Sequence, residues 1–369
     1  MTEFEQMKTE FTSNFVVKTL NFNTETTNVQ FNHNGALMAA CSEGGEVNLY
    51  DVENDFALLR SYTNTNDPDL KEELYMTRYV QFSPDNTFLV VCSKLRLVVL
   101  NLSDFSEVFV LSDVELMPAG KDNIRMFTGI SFSPNGDYLA VGMNKRVDIF
   151  DTRNGFAPVA TYDAPPKVIC VVFHGDKLIF GSAYDGLTLV DRATKEVLAT
   201  YVFKTKEQDH LRYMDLTPRG ALFLSTYGCN PRTVNPDTLE LIQEFDIPYP
   251  VFFKHRHLNE DITVASGGIR GWQQFNHSTG KPIDKFEHYE DGYHASMTDC
   301  FQRDLSPDNR FIAVCGEKEI RVLYTPMIGI SKMTGKISEQ TDALVATDPD
   351  FEDVQVNDDV LYAMAATLV

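Results

Sequence analysis

The chain of 369 residues is long enough for two ordinary domains or one large closed all-β domain, and 43% hydrophobic content with 26 Phe and 15 Tyr excludes a disordered chain. The net charge is −21, and eight acids with no Lys or Arg lie between Ile337 and the C-terminus, which leaves about −13 for the rest. That balance argues against a dominant grip on nucleic-acid phosphates, which needs clustered positive charge, although a local basic patch stays compatible with it.

The N-terminal stretch MTEFEQMKTEF has neither a basic n-region nor an apolar h-region, so no signal peptide is expected. No apolar run is long enough to span a bilayer, and the chain reads as soluble and intracellular, nuclear or cytoplasmic. NFVVKTLNF (Asn14 to Phe22) then offers an apolar strand with no unit of its own. The first complete unit is FNHNGALMAACSEGGEVNLYD from Phe31. Related units begin at Phe82, Phe132, Phe173, Leu216, Leu258 and Leu305, at spacings of 51, 50, 41, 43, 42 and 47 residues.

Each unit has the same grammar. An anchor hydrophobe ends one strand, and a turn such as SPDN, SPNG or TPRG follows. A doubly apolar run such as ALMAAC or YLAVG makes a second strand buried on both faces. A third strand ends in an aromatic or aliphatic residue plus Asp or Asn, and a fourth (FALLRSY, APVATY, EVLATY, LIQEF) completes the unit. A period of about 40–45 residues with four short strands predicts an all-β fold, a seven-bladed β-propeller. The last unit lacks a good fourth strand, since PMIGISKMTGK follows VLYT, so Phe15 to Leu20 is expected to supply it and close the ring. The predicted organisation is residues 1–13 as an extension, 14–329 as the propeller and 330–369 as an acidic, flexible tail.

From Phe15 to Pro326 the chain resembles the WD-repeat family: LYD (Leu49 to Asp51), IFD (Ile149 to Asp151) and LVD (Leu189 to Asp191) stand at its Trp-Asp position, with Asn101 and Asn235 in two weaker units. The family's Gly-His dipeptide is missing, and the only Trp, Trp272, lies elsewhere, so its buried His–Ser/Thr–Asp–Trp network is not expected intact. FNTETTNVQFNHNG, VNLYD, MTRYVQFS and the terminal LYTP look like the small WD-repeat subunit of Set-type histone methyltransferase and transcription-termination complexes.

No catalytic constellation stands out, and no cofactor or metal is expected. His255 and His257 in FFKHRH share a strand face, but a third metal ligand is not visible, and a surface or inter-blade position is the preferred reading. Neither GxSxG nor GxxxxGK[ST] occurs. Phosphoinositide-binding propellers carry FRRG, which this chain lacks. The six cysteines have no CxxC spacing, and Cys41, Cys92, Cys170 and Cys315 sit in apolar runs, as small buried hydrophobes of a reducing compartment.

Surface recognition remains. Loops from each outer strand to the next inner strand, and from second to third strands, are expected on one face. They carry Arg125, Lys145, Arg146, Tyr184, Tyr227, Arg232, Arg270, Tyr293 and Lys318, residue types that dominate interface hot spots. As a ring around the channel they would receive an acidic or arginine-bearing peptide. Long loops at Thr63 to Met76, Leu111 to Met126 and Glu287 to Cys300 are further candidate contacts. The tail, TDALVATDPDFEDVQVNDDVLYAMAATLV, alternates acids with apolar residues and reads as a docking motif or as a strap across the propeller. The sequence therefore predicts a non-catalytic scaffold whose partners are other protein subunits and a peptide on the propeller face, without direct nucleic-acid or membrane binding. Two alternatives stay open: an enzyme or small-ligand binder at the channel, and an RNA-binding propeller.

Overall fold

The computed structural model describes residues 16–324 except 65–76, 94–95, 113–128, 144, 204–209, 228–229, 246–251, 258–261, 268–270, 277–280, 287–302 and 309. The predicted N-terminal extension, the acidic tail and nearly all of the three long loops lie outside these residues. What is described is all-β: among these residues the only helical element is a single 3-10 turn at Thr152–Asn154.

Strand β1 (Val16–Asn21) stands first and belongs to no early sheet. Sheet 1 is β2 (Thr26–Phe31), β3 (Leu37–Ser42), β4 (Glu46–Asp51) and β5 (Ala57–Thr63); sheet 2 is β6 (Thr77–Phe82), β7 (Phe88–Ser93), β8 (Arg96–Asn101) and β9 (Glu107–Ser112). Sheet 3 is β10 (Gly129–Phe132), β11 (Tyr138–Met143), β12 (Arg146–Asp151) and β13 (Ala157–Asp163); sheet 4 is β14 (Val168–His174), β15 (Lys177–Ser182), β16 (Gly186–Asp191) and β17 (Val197–Tyr201). Sheet 5 is β18 (His210–Leu216), β19 (Leu222–Tyr227), β20 (Arg232–Val234) and β21 (Leu241–Glu244); sheet 6 is β22 (Phe252–His257), β23 (Ile262–Gly267), β24 (Gly271–Asn276) and β25 (Lys281–Phe286). These six are antiparallel meanders in chain order. The last three strands, β26 (Arg303–Leu305), β27 (Phe311–Cys315) and β28 (Glu319–Tyr324), are joined by β1 to make sheet 7, in the order β1-β28-β27-β26. Thr19 stands opposite Arg321 and Leu20 opposite Ile320.

Packing follows from the period-2 geometry of strands, because neighbouring residues of a second strand serve different neighbours. In β3, Met38 and Ala40 pack with Phe311, Ala313, Ile320 and Val322, while Ala39 and Cys41 pack with Val80, Phe82, Leu89 and Val91. In β7, Val90 and Cys92 turn instead to Ile130, Phe132, Leu139 and Val141. Strand β15 repeats the division: Leu178 and Phe180 join Ala140 and Val147, whereas Ile179 joins Met214, Leu222 and Leu224. Each fully buried side chain of this kind contributes about 1.5–3 kcal/mol. The doubly apolar runs in the sequence are therefore strands with a sheet on each side, a propeller-like arrangement. Outer strands differ: Leu58, Val108, Val159, Val197 and Ile242 remain exposed.

The repeated polar residues are turn caps. Ser83, Ser133 and Ser306 each accept, on the hydroxyl oxygen, the backbone N–H five residues on, from Phe88, Tyr138 and Phe311, at 2.9 Å in each case. Residues at the Trp-Asp position close the next turn. Asp151 Oδ1 accepts from Arg153 N (2.9 Å), Asp191 Oδ1 from Thr194 N (2.7 Å), Asn101 Oδ1 from Ser103 N (2.9 Å) and Asn235 Oδ1 from Asp237 N (2.8 Å). The backbone bonds from Thr194 hold the Asp191 carboxyl below the usual range. Asp and Asn share this duty because both carry a side-chain oxygen on Cγ, short enough to reach the backbone N–H two or three residues on.

Inner strands present an unpaired edge, and neighbouring side chains satisfy part of it. Gln30 Oε1 accepts from Phe82 N at 2.9 Å, Asn28 Oδ1 from Val80 N at 3.4 Å, and Asp304 Oδ2 from Phe31 N at 2.7 Å. The last of these ties β26 to β2 across 273 positions, with Asp304 only 2% exposed. Asp304→Ala would strand the Phe31 N–H, at about 1–3 kcal/mol. Thermal unfolding should then fall by several degrees, with most of the loss recovered in Asp304→Asn, which keeps the acceptor. Equal losses in the two variants would assign the effect to charge rather than to the hydrogen bond.

Candidate functional site

One edge of the sheets is formed by the turns between second and third strands and by the segments leading from outer strands to the next inner strands. Backbone hydrogen bonds sew these together. Asn64 N donates to Gly45 O (2.8 Å), Ala164 N to Lys145 O (3.0 Å), Ala183 N to Lys167 O (2.9 Å) and Leu211 N to Ala183 O (3.1 Å). Between sheets 7 and 1, Thr26 N donates to Gly316 O (3.2 Å) and Phe22 N to Lys318 O (2.8 Å). The rim is thus held by its own main chain, and the side chains it carries project from fixed positions.

The predicted residues divide into three groups. Lys145, Tyr184 and Lys318 occupy rim turns; Lys145 and Lys318 are exposed, and Lys145 has φ +66°. Tyr184 is half-buried, with Lys167 Nζ 5.0 Å from its ring centroid, a cation–π contact that fixes both side chains. Arg146 and Arg232 begin third strands, and Arg232 is buried while the Arg146 side chain stays 39% exposed. Arg146 Nε lies 3.0 Å from Asp148 Oδ2, an ion pair without hydrogen-bond alignment. Arg232 is 5% exposed and donates from Nη1 to Tyr201 Oη at 3.0 Å. Arg96, which the sequence did not single out, stands at the same strand position and donates to Tyr62 Oη (3.1 Å), Asn64 Oδ1 (2.6 Å) and Glu107 Oε2 (2.9 Å). An arginine that opens a third strand is a staple in this fold, which the sequence could have revealed only by aligning the units. Burial, with a contribution from Glu107, pushes the Tyr62 hydroxyl up to about 12. In the third group, Tyr227 ends β19 opposite His210, and Arg125, Arg270 and Tyr293 lie outside the described residues.

Two rim residues escaped sequence reasoning. Lys167, with φ +57°, and Arg212 are both exposed. Arg212 sits where the β18–β19 register slips between Leu211 and Tyr213, so a bulge turns it out of the strand alternation. The same slip recurs in β2, β6, β14 and β22, a periodic signal visible only once strand pairing is known.

Deeper, the inner strands bring Tyr79, Tyr213, Asp215 and Asp304 into one electrostatic environment although they come from sheets 2, 5 and 7. Tyr213 Oη donates to Asp215 Oδ2 at 3.2 Å. Burial first, then the surrounding acidic groups, push both phenols well above their ordinary range, so they act as hydrogen-bond donors rather than bases. Among the described residues no three His, Cys, Asp or Glu side chains are grouped to hold a metal ion. His255 and His257 fall on β22, and their side chains lie outside what is described. No helix among the described residues is long and apolar enough to cross a membrane.

Cys41, Cys92, Cys170 and Cys315 form no disulfide and are buried, as expected. Burial raises the Cys92 thiol well above its ordinary value and the Cys170 thiol to about 12. In the native protein these four should not react with a thiol reagent such as DTNB, and all six thiols should titrate after denaturation. Native reaction of more than two would contradict this packing.

Fold and rim together define a protein of all-β, propeller-like class, with a polar edge held by backbone hydrogen bonds and a half-buried phenol–carboxylate cluster. No protein-family model matches the chain, and no curated protein matches it.

Proposed function

We propose that this chain is a seven-bladed β-propeller of WD-repeat type, closed by its N-terminal strand, and a non-catalytic subunit of an intracellular complex that holds a partner peptide on its rim. The observation that carries this reading is the rim itself: exposed Lys145, Lys167 and Lys318 on loops fixed by backbone hydrogen bonds, with exposed Arg212 at the bulge of β18 beside them. A backbone fixed in advance lowers the ordering cost of binding, which suits recognition of an extended segment. The four-strand repeat and the β1–β28 pairing support the blade count and the closure.

Cross-linking mass spectrometry on the native complex tests it. Partner cross-links should fall on Lys145, Lys167 and Lys318. Cross-links confined to Lys177 and Lys195, which lie on the opposite edge, would overturn the assignment of the face, and recovery of only a free monomer at native concentration would overturn the scaffold role. The chromatin version predicts nuclear localisation and co-purification with a methyltransferase or RNA-processing machinery. A second reading, a small polar ligand within the channel, draws on the Tyr79, Tyr213, Asp215 and Asp304 cluster. It predicts a small molecule that co-purifies with the wild type and is lost in Tyr213→Phe.

A further inference from the structure

Charge is unevenly distributed around the rim. On sheets 3 to 5, Lys145, Lys167 and Arg212 are exposed, with Arg232 buried beneath them. Among the described residues the carboxylates in that sector are Asp163, Asp185, Glu244, which stands opposite Arg232, and Asp148, which is paired with Arg146. Around sheets 7 and 1 the sign reverses: Glu25, Glu43, Glu46 and Glu317 outweigh Lys318, and Glu319 is paired with Arg321. Five cations to four carboxylates among the described residues of this sector run against the field of a chain of net charge −21. Within the same sector Val202, which follows Tyr201 at the end of β17, is 72% exposed, more than any other large apolar side chain among the described residues.

We infer that the peptide recognised by the rim is acidic, with an apolar side chain among its carboxylates, and that it lies across sheets 3 to 5. This rests on the peptide-binding reading above and chooses between the two chemistries that the sequence left open. Carboxylates reaching Lys145, Lys167 and Arg212 make charge-assisted hydrogen bonds to groups whose backbones do not have to be ordered first. Val202 supplies the apolar contact. An arginine-bearing peptide would instead meet like charge over this sector. The exposed contacts make binding sensitive to salt, because the Debye length falls from about 14 Å at 50 mM to about 6 Å at 300 mM.

Fluorescence anisotropy on the full chain tests the inference. The probes are a fluorescein-labelled peptide alternating Asp and Glu with Phe and Val, and a counterpart with Lys at every acidic position. The acidic probe should bind, should weaken as salt rises from about 50 to 300 mM, and should lose at least about tenfold in affinity in the triple variant Lys145→Glu, Lys167→Glu, Arg212→Glu. Arg219→Glu, on the opposite edge, should change nothing. Each single reversal is measured as well, so that a misfolded triple variant does not decide the outcome. Equal or tighter binding of the basic probe, or reversals without effect, overturns the acidic assignment while leaving a peptide-binding rim in place. If neither probe binds and native cross-links avoid the rim, the peptide-binding reading itself fails.

Discussion

A variant beginning at Phe22, without residues 1–21, is expected not to reach the folded state. Strand β1 supplies the outer strand of sheet 7, pairing from Val16 to Asn21 with β28. Leu20 is 7% exposed and packs in one cluster with Met38, Ala313, Ile320 and Val322. Its burial contributes about 1.5–3 kcal/mol, and a handful of ladder hydrogen bonds add about 0.5–1.5 kcal/mol each. The sum approaches the total stability of about 5–15 kcal/mol that holds a domain together. The loss also leaves β28 as an open edge beside an uncovered core, a template for aggregation. Circular dichroism and size-exclusion chromatography should find the variant unfolded or aggregated, and a synthetic peptide of residues 14–22 should partly restore it. A truncated chain that melts like the full one would show that β1 is dispensable.

Gly186→Ala carries the second large effect. Gly186 opens β16 with φ +109°, and a Cβ there would lie 1.8 Å from Tyr201 O, 2.9 Å from Tyr201 C and 3.1 Å from Val202 Cα. All three contacts are backbone, so no rotamer change relieves them. Overpacking of this kind costs about 1–3 kcal/mol and the left-handed conformation about 1–2 kcal/mol more. At about 2–4 °C per kcal/mol for a domain of roughly 150–250 residues, the melting temperature should fall by several degrees at least. The damage lies at the rim, since Tyr201 receives Arg232 and Val202 is the exposed apolar contact, so acidic-peptide binding should weaken as well. Gly220→Ala is the control. Gly220 has φ +79° but nothing within 4 Å of its added Cβ, so only the conformational part of the cost remains. Equal losses in the two variants would refute the steric argument.

Much of this architecture is legible in the sequence because it is locally encoded. Anchors such as Phe31, Phe82 and Phe132, the SPDN and SPNG turns, and the doubly apolar second strands each act over a few residues. The unclaimed strand before Phe22 matched a final unit lacking its fourth strand, and it pairs there. The rim was less legible. Arg146 and Arg232 look alike in a linear reading, yet Arg232 is buried against Tyr201 of an outer strand while Arg146 stays partly exposed beside Asp148. Arg212 looks like an ordinary inner-strand residue until the register slip at Leu211–Tyr213 turns it outward. Asp304 looks like a charge, and its partner is a backbone N–H 273 positions away. What sequence reasoning missed is the set of properties that depend on distant chain segments meeting.

The pairing of β1 with β28 has a consequence for synthesis. A ribosome delivers the N-terminal strand first, and Thr26 bonds Gly316 across 290 positions. At about 5–20 residues per second that partner emerges roughly 15–60 s later. For that interval the nascent chain displays an apolar strand with no mate, followed by finished sheets whose outermost inner strand has nothing to pack on. The last sheet is therefore completed only after β28 has been made, and a chaperone that holds the N-terminal strand apart until then would raise the yield more than one acting on any sheet between.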